Sequence, residues 1–138
     1  MAFIYAIVRK LFVRILLLTI ILAPMQQTDK PPGISTRDTF EMIQKDTTIV
    51  LLDVRTPAEF ISVTGHLNAA LLIPVQELER RVEELNTYKD KTIIAYCRTG
   101  SRSGAATAFL RKKGFTVLNM EGGIVKWNEE KLPVVQGK

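Results

Sequence analysis

The chain has 138 residues, 46% of them hydrophobic and 24% charged, which suits a single domain with its own core. It contains no low-complexity tract and no repeat of solenoid or propeller period. The formal charge of +5 is concentrated at the start, with Arg9, Lys10 and Arg14 before Ala23 and no acid before Asp29. Residues 26–138 carry 16 basic against 14 acidic side chains, so no nucleic-acid partner is expected.

Residues 1–14 read as a basic n-region, residues 15–23 as a short apolar h-region, and residues 24–27 as a polar, helix-breaking exit. That is the layout of a secretory signal peptide. Ala23 is followed by proline, however, and no small-x-small pair surrounds it. Residues 1–25 are therefore expected to be a signal peptide or an uncleaved N-terminal membrane anchor. Arg14 interrupts the apolar run too early for a comfortable span of about 20 residues. Either way the domain is expected outside the cytoplasm, in a periplasmic or other extracytoplasmic space, with possible membrane attachment through the N-terminus.

Residues 26–33 are polar and Pro/Gly-containing, a linker leading into a domain over 34–138. Ser35 is an N-cap, with Asp38 three residues on, for a helix placing Phe40 and Ile43 on one face. Residues 48–54 form a continuous aliphatic and β-branched run, as in a strand covered on both faces, with Asp53 near its end. Thr56, Pro57 and Glu59 supply an N-cap, a proline at the first helical position and a capping glutamate. A second apolar run, 70–73, stops at Pro74. Residues 76–85 carry Leu78, Val82 and Leu85 at helical spacing, and 86–90 turn the chain into a strand over 92–96.

A helix is expected from about Ser103 to Lys113, with cations in its last turn and Gly114 at C′. Residues 115–118 form another strand, and Gly122-Gly123 precede a short helix bearing Trp127. Alternating strands and helices predict an α/β domain, an open and mainly parallel sheet with helices on both faces.

Cys97 is the only cysteine, and it ends the 92–96 strand where ligands gather in parallel sheets. The loop Cys97-Arg98-Thr99-Gly100-Ser101-Arg102 follows, then the helix near Ser103. Backbone N–H groups, a helix N-terminus and two guanidiniums around one sulfur favour thiolate and attract anions. An inert apolar cysteine would need none of them. Without a C-x-x-C a dithiol mechanism is excluded, and Cys97 with His66 supplies too few ligands for zinc, so no metal or cofactor is expected.

The chain resembles the rhodanese superfamily, in its single-domain exported form, over about residues 33–135. Asp53-Val54-Arg55 with Glu59-Phe60 resembles its D-V-R-x-x-x-E-F segment. Gly65-His66-Leu67 through Ile73-Pro74 resembles G-H-I-x-G-A-x-N-I-P, residues 97–103 its active-site loop, and Gly122-Gly123 through Trp127 its late G-G-x-x-x-W. Ala69 stands where the family usually has glycine, and Leu72 where asparagine is common.

The resemblance implies a sulfurtransferase with Cys97 as catalytic nucleophile. Arg98 and Arg102 would hold an anionic sulfur donor, and the N–H groups of Thr99, Gly100, Ser101 and Arg102 would cradle the sulfur. Asp53, Arg55 and Ser103 would be supporting residues, the first two as an ion pair fixing neighbouring loops. Four residues separate Cys97 from Arg102, whereas phosphatase relatives have five, so the loop suits a persulfide better than a phosphate. The acceptor would be cyanide or a thiol. The alternative is a catalytically silent rhodanese-like module that binds or senses. His66 and Trp127 read as scaffold and core.

Overall fold

Five strands pair wholly in parallel in the computed structural model, which describes residues 30–136. The expectations for residues 1–25, and half of the linker, lie outside the described residues. In chain order the elements are β1 (Gly33–Ile34), α1 (Thr36–Lys45), β2 (Val50–Asp53), α2 (Pro57–Phe60), β3 (Leu71–Leu72) and α3 (Leu78–Arg81). A 3-10 helix (Val82–Tyr88) follows, then β4 (Thr92–Tyr96), α4 (Ser101–Lys112), β5 (Thr116–Met120) and α5 (Gly123–Glu129). The sheet order is β1-β5-β4-β2-β3. This is the α/β architecture expected from the alternating pattern.

The central strands are apolar on both sides, and successive residues feed two separate cores. Leu52, Val54, Ile93, Ala95 and Val117 pack with Ala106 and Leu110 of α4 and Leu78 of α3. Leu51, Ile94, Tyr96 and Met120 pack on the other face with Ile124 and Trp127 of α5. Trp127 is core, as its sequence context suggested, and donates Nε1–H to the Pro133 carbonyl at 2.9 Å.

Chain direction places the site. After β2 the chain moves towards β3, and after β4 it moves the opposite way, towards β5. The loops leaving these adjacent strands diverge and open a crevice, the usual ligand position in such sheets. Cys97 sits at the carboxyl end of β4 and Asp53 at that of β2, where Asp53 pairs in register with Tyr96.

Four elements differ from the sequence expectation, the first being β5, which runs two residues past the expected 115–118 to Met120. The helix expected over 76–85 is one α-turn that tightens into the 3-10 segment and takes in most of the expected 86–90 turn. A 3-10 helix stacks every third residue, so Val82, Leu85 and Tyr88 form one stripe into the α4-side core. Gly33, read as linker, pairs with Asn119 in a two-residue edge strand too short to leave a sequence pattern. α4 begins at Ser101, two residues early, because Gly100 at φ 101° turns the chain directly into the helix.

Ala69, at the position where glycine was expected, has φ 59°. A left-handed L-residue costs roughly 1–2 kcal/mol, so the turn is imposed by its surroundings, among them the hydrogen bond from Ala70 N–H to the Leu67 carbonyl at 3.2 Å. Ala69→Gly is expected to raise stability by up to about 1 kcal/mol, the relief of strain exceeding the added freedom of the unfolded chain. Urea unfolding should show a higher midpoint at unchanged slope.

Candidate active site

Cys97 is buried at the mouth of a turn that spends its backbone donors on sulfur. Gly100 N–H donates to Cys97 Sγ at 3.1 Å, and the Ser103 hydroxyl lies 3.4 Å from Sγ. Burial pushes the thiol up. The Ser103 hydroxyl and the N–H groups of Ser103, Gly100 and Thr99 outweigh it and hold Cys97 below its ordinary value. These donors are free because α4 makes its first intrahelical bond at Gly104, whose N–H reaches the Gly100 carbonyl at 2.9 Å. The N–H groups of Ser101, Arg102 and Ser103 thus open the helix without helical acceptors. Of the four amides expected to cradle the sulfur, Thr99 and Gly100 act on it, Ser101 and Arg102 make no hydrogen bond to it, and Ser103, read as a supporting residue, contributes its amide and its side chain.

A second short helix fixes the loop from behind. Ile124 and Val125 donate their N–H groups to the carbonyls of Cys97 and Arg98 at 2.9 and 3.1 Å. Gly123 must be glycine, since a Cβ there would lie 2.5 Å from both carbonyl oxygens. The Gly-Gly pair, read from sequence as a break, is therefore a docking point for the sulfur loop.

The two arginines separate. Arg102 gives Nη1 and Nη2 to the two carboxylate oxygens of Glu59 at 2.9 and 2.6 Å. Arg98 is exposed and, among the described residues, forms no ion pair. Arg98 thus offers a full charge, while Arg102 offers a held guanidinium with donors to spare. Glu59 was foreseen as a capping residue, and it does accept from Thr56 N–H and Oγ–H. Its hold on Arg102, across 43 positions, was not foreseen; its place in the segment shared with Asp53 and Arg55 was the available signal.

Asp53 and Arg55 form the ion pair expected of them, with Arg55 Nη2 2.6 Å from Asp53 Oδ2 and both side chains almost fully buried. Arg55 also donates to the Gly65 carbonyl at 2.8 Å and to Thr64 Oγ1 at 3.1 Å. The pair staples the end of β2 to the 64–65 loop, and removing one partner would strand a buried charge at a cost of about 3–5 kcal/mol. His66 is scaffold: its ring stacks on Phe60 at 3.7 Å, and its backbone bridges to Val135. Arg55, Glu59, Ser62, Thr64, Arg98 and Ile124 line a pocket of about 190 Å³ at the crevice. A larger cavity, about 460 Å³, is lined by α1, Trp127 and residues preceding β2 and β3, and Cys97 takes no part in it.

An α/β crevice holding one activated thiol under a short arginine-containing loop defines a class of cysteine-centred domains. The Rhodanese-like domain model matches residues 36–130, and the chain belongs to that family. A protein of Allochromatium vinosum named sulfurtransferase is 40% identical over 88 residues, which cover 63% of this chain and 78% of that one. The putative sulfurtransferase YtwF of Bacillus subtilis is 34% identical over 100 residues, covering 72% and 93%. The uncharacterized Bacillus subtilis protein YqhL is 44% identical over 78 residues, but only 59% of its length is matched. Among solved structures, a rhodanese-related protein from Thermoplasma volcanium superposes with a TM-score of 0.68 at 36% identity, covering 75% of this chain and 97% of that one.

Arg102 and its hydrogen bonds hold the Glu59 carboxyl at about 2, below its ordinary 4.5. A lowered carboxylate stabilises the fold above its unfolded value, and that contribution is lost as pH falls from 4.5 towards 2. Glu59→Gln is expected to be less stable by about 1 kcal/mol at neutral pH, as for a partly exposed pair. The difference from wild type should shrink on acidification across that window, read by urea unfolding at several pH values.

Proposed function

We propose that the protein is a sulfurtransferase that carries sulfur as a persulfide on Cys97, with thiosulfate or a similar small anion as donor and a thiol or cyanide as acceptor. The observation that carries this reading is one buried sulfur that accepts the Gly100 N–H at 3.1 Å and lies 3.4 Å from the Ser103 hydroxyl, at the end of a short arginine-containing loop. Membership of the family and relatives named as sulfurtransferases support it. In the first half-reaction the Cys97 thiolate attacks the outer sulfur of thiosulfate. A Cys97–sulfur bond forms, the donor's S–S bond breaks, and its electron pair leaves with sulfite. In the second, the acceptor attacks that outer sulfur and Cys97 departs as thiolate.

Each residue has a chemical task in this scheme. Arg98 draws the anionic donor into the crevice and Arg102 orients it, while the loop N–H groups take the negative charge that develops on the persulfide. Ser103 keeps the departing thiolate solvated. Residues 1–25 deliver or tether the domain outside the cytoplasm, a proposal supported by their basic-then-apolar pattern alone.

Mass spectrometry of the wild-type protein should show one added sulfur after thiosulfate treatment, lost again on adding cyanide. Cys97→Ser should take up none, and its thiosulfate:cyanide turnover should fall to background. Equal turnover in the two proteins, or no sulfur uptake by wild type in excess donor, would overturn the proposal. The latter result would favour the silent binding module.

A further inference from the structure

We propose that Asn119 is a positioning residue for Cys97, whose side-chain amide braces the turn that aims the Gly100 N–H at sulfur. The proposal deepens the reading of Cys97 as nucleophile and rests on it. Asn119 is a nearly buried polar side chain in the otherwise mainly apolar β5, and the family resemblance assigned it no task. Its Nδ2 donates to the Gly100 carbonyl at 3.1 Å, and its Oδ1 accepts from the Ser103 hydroxyl at 2.6 Å. A carbonyl can only accept, so Nδ2 must face Gly100 and Oδ1 must face Ser103.

These contacts close a ring. Gly100 N–H reaches Sγ, Sγ lies beside the Ser103 hydroxyl, that hydroxyl reaches Asn119 Oδ1, and Asn119 Nδ2 returns to the Gly100 carbonyl. Gly100 carries the left-handed turn of the loop, so holding its carbonyl fixes the plane of the peptide that follows it and steadies the residue whose N–H reaches sulfur. Asn119 has a second, opposing influence. Ser103 has one proton, and Oδ1 at 2.6 Å competes for it with sulfur at 3.4 Å. The Gly100 N–H is the shorter contact to sulfur, at 3.1 Å, and the proposal is that bracing it outweighs the competition for the Ser103 proton.

No charged group need change to test this. Arg98 follows Cys97 directly, and Arg102 of α4 is held by Glu59 of α2. At the end of β2, Asp53 and Arg55 neutralise one another. On the β5–α5 side Glu121 pairs with Lys30, and Lys126 lies near Glu129 and Glu130. Asn119→Ala leaves all of these in place.

The test is the pH dependence of iodoacetamide alkylation of the full-length protein, unambiguous because Cys97 is its only cysteine. Asn119→Ala should raise the midpoint by about one pH unit. A higher thiol pKa also makes a stronger nucleophile, so the rate below the midpoint should fall about threefold and the alkaline plateau rise about threefold. The near-isosteric Asn119→Asp keeps an acceptor for Ser103 but loses the donor to Gly100 and adds a negative charge, so its midpoint should rise further. Both variants should retain wild-type circular dichroism. A midpoint unmoved in folded Asn119→Ala, or moved downward, would overturn the proposal, a downward shift showing that competition for the Ser103 proton dominates. Wild-type protein that alkylates normally but takes up no sulfur from thiosulfate would instead defeat the functional reading and leave the brace standing.

Discussion

The bond from Gly100 N–H to Cys97 Sγ is the contact on which the rest of the site depends. A buried thiol left to itself is pushed towards the neutral form, and only hydrogen bonds to the charged form reverse that tendency. The fold supplies them from the main chain, because the left-handed residue at 100 converts strand directly into helix and leaves the first-turn amides unspent. Everything around the turn prevents it from relaxing. α5 grips the carbonyls of Cys97 and Arg98, Asn119 grips the carbonyl of Gly100, and Glu59 ties Arg102 to the neighbouring loop. Preorganisation of this kind needs no rearrangement at the moment of reaction.

Charge is placed with equal economy. The deeply buried pair Asp53 and Arg55 holds architecture, while the half-exposed pair Glu59 and Arg102 faces the crevice. Only Arg98 of these arginines meets solvent without an ion-pair partner among the described residues. The crevice therefore presents the Arg98 cation and a field of backbone dipoles beside the thiol.

Much of this was legible in the residues because local rules and tertiary structure agree. The uninterrupted apolar run ending at Asp53 predicts a strand covered on both faces, and Cys97 follows another such run, so both were placed at strand ends. Thr56 with Glu59, and Ser35 with Asp38, are short-range caps whose geometry the spacing already encodes. What escaped was long-range. Asn119 is one polar residue in an apolar strand, and nothing nearby in sequence says that it faces a loop 19 positions earlier. Glu59 could be read as a cap but not as the partner of Arg102, and the two-residue β1 is defined by its neighbour rather than by its own residues. The 3-10 segment escaped because a three-residue apolar spacing is easily taken for part of an α-helical stripe.

The pairing of β1 with β5 has a mechanical consequence. Asn119 N–H donates to the Pro32 carbonyl at 2.9 Å, so the chain enters the domain one bond from the residue that supports the sulfur loop. Because β1 is a two-residue edge strand, a pull exerted through the amino-terminal segment would load that bond before strain reached the central sheet. Force applied at this end of the molecule would thus be felt early by the thiol's surroundings and late by the apolar cores.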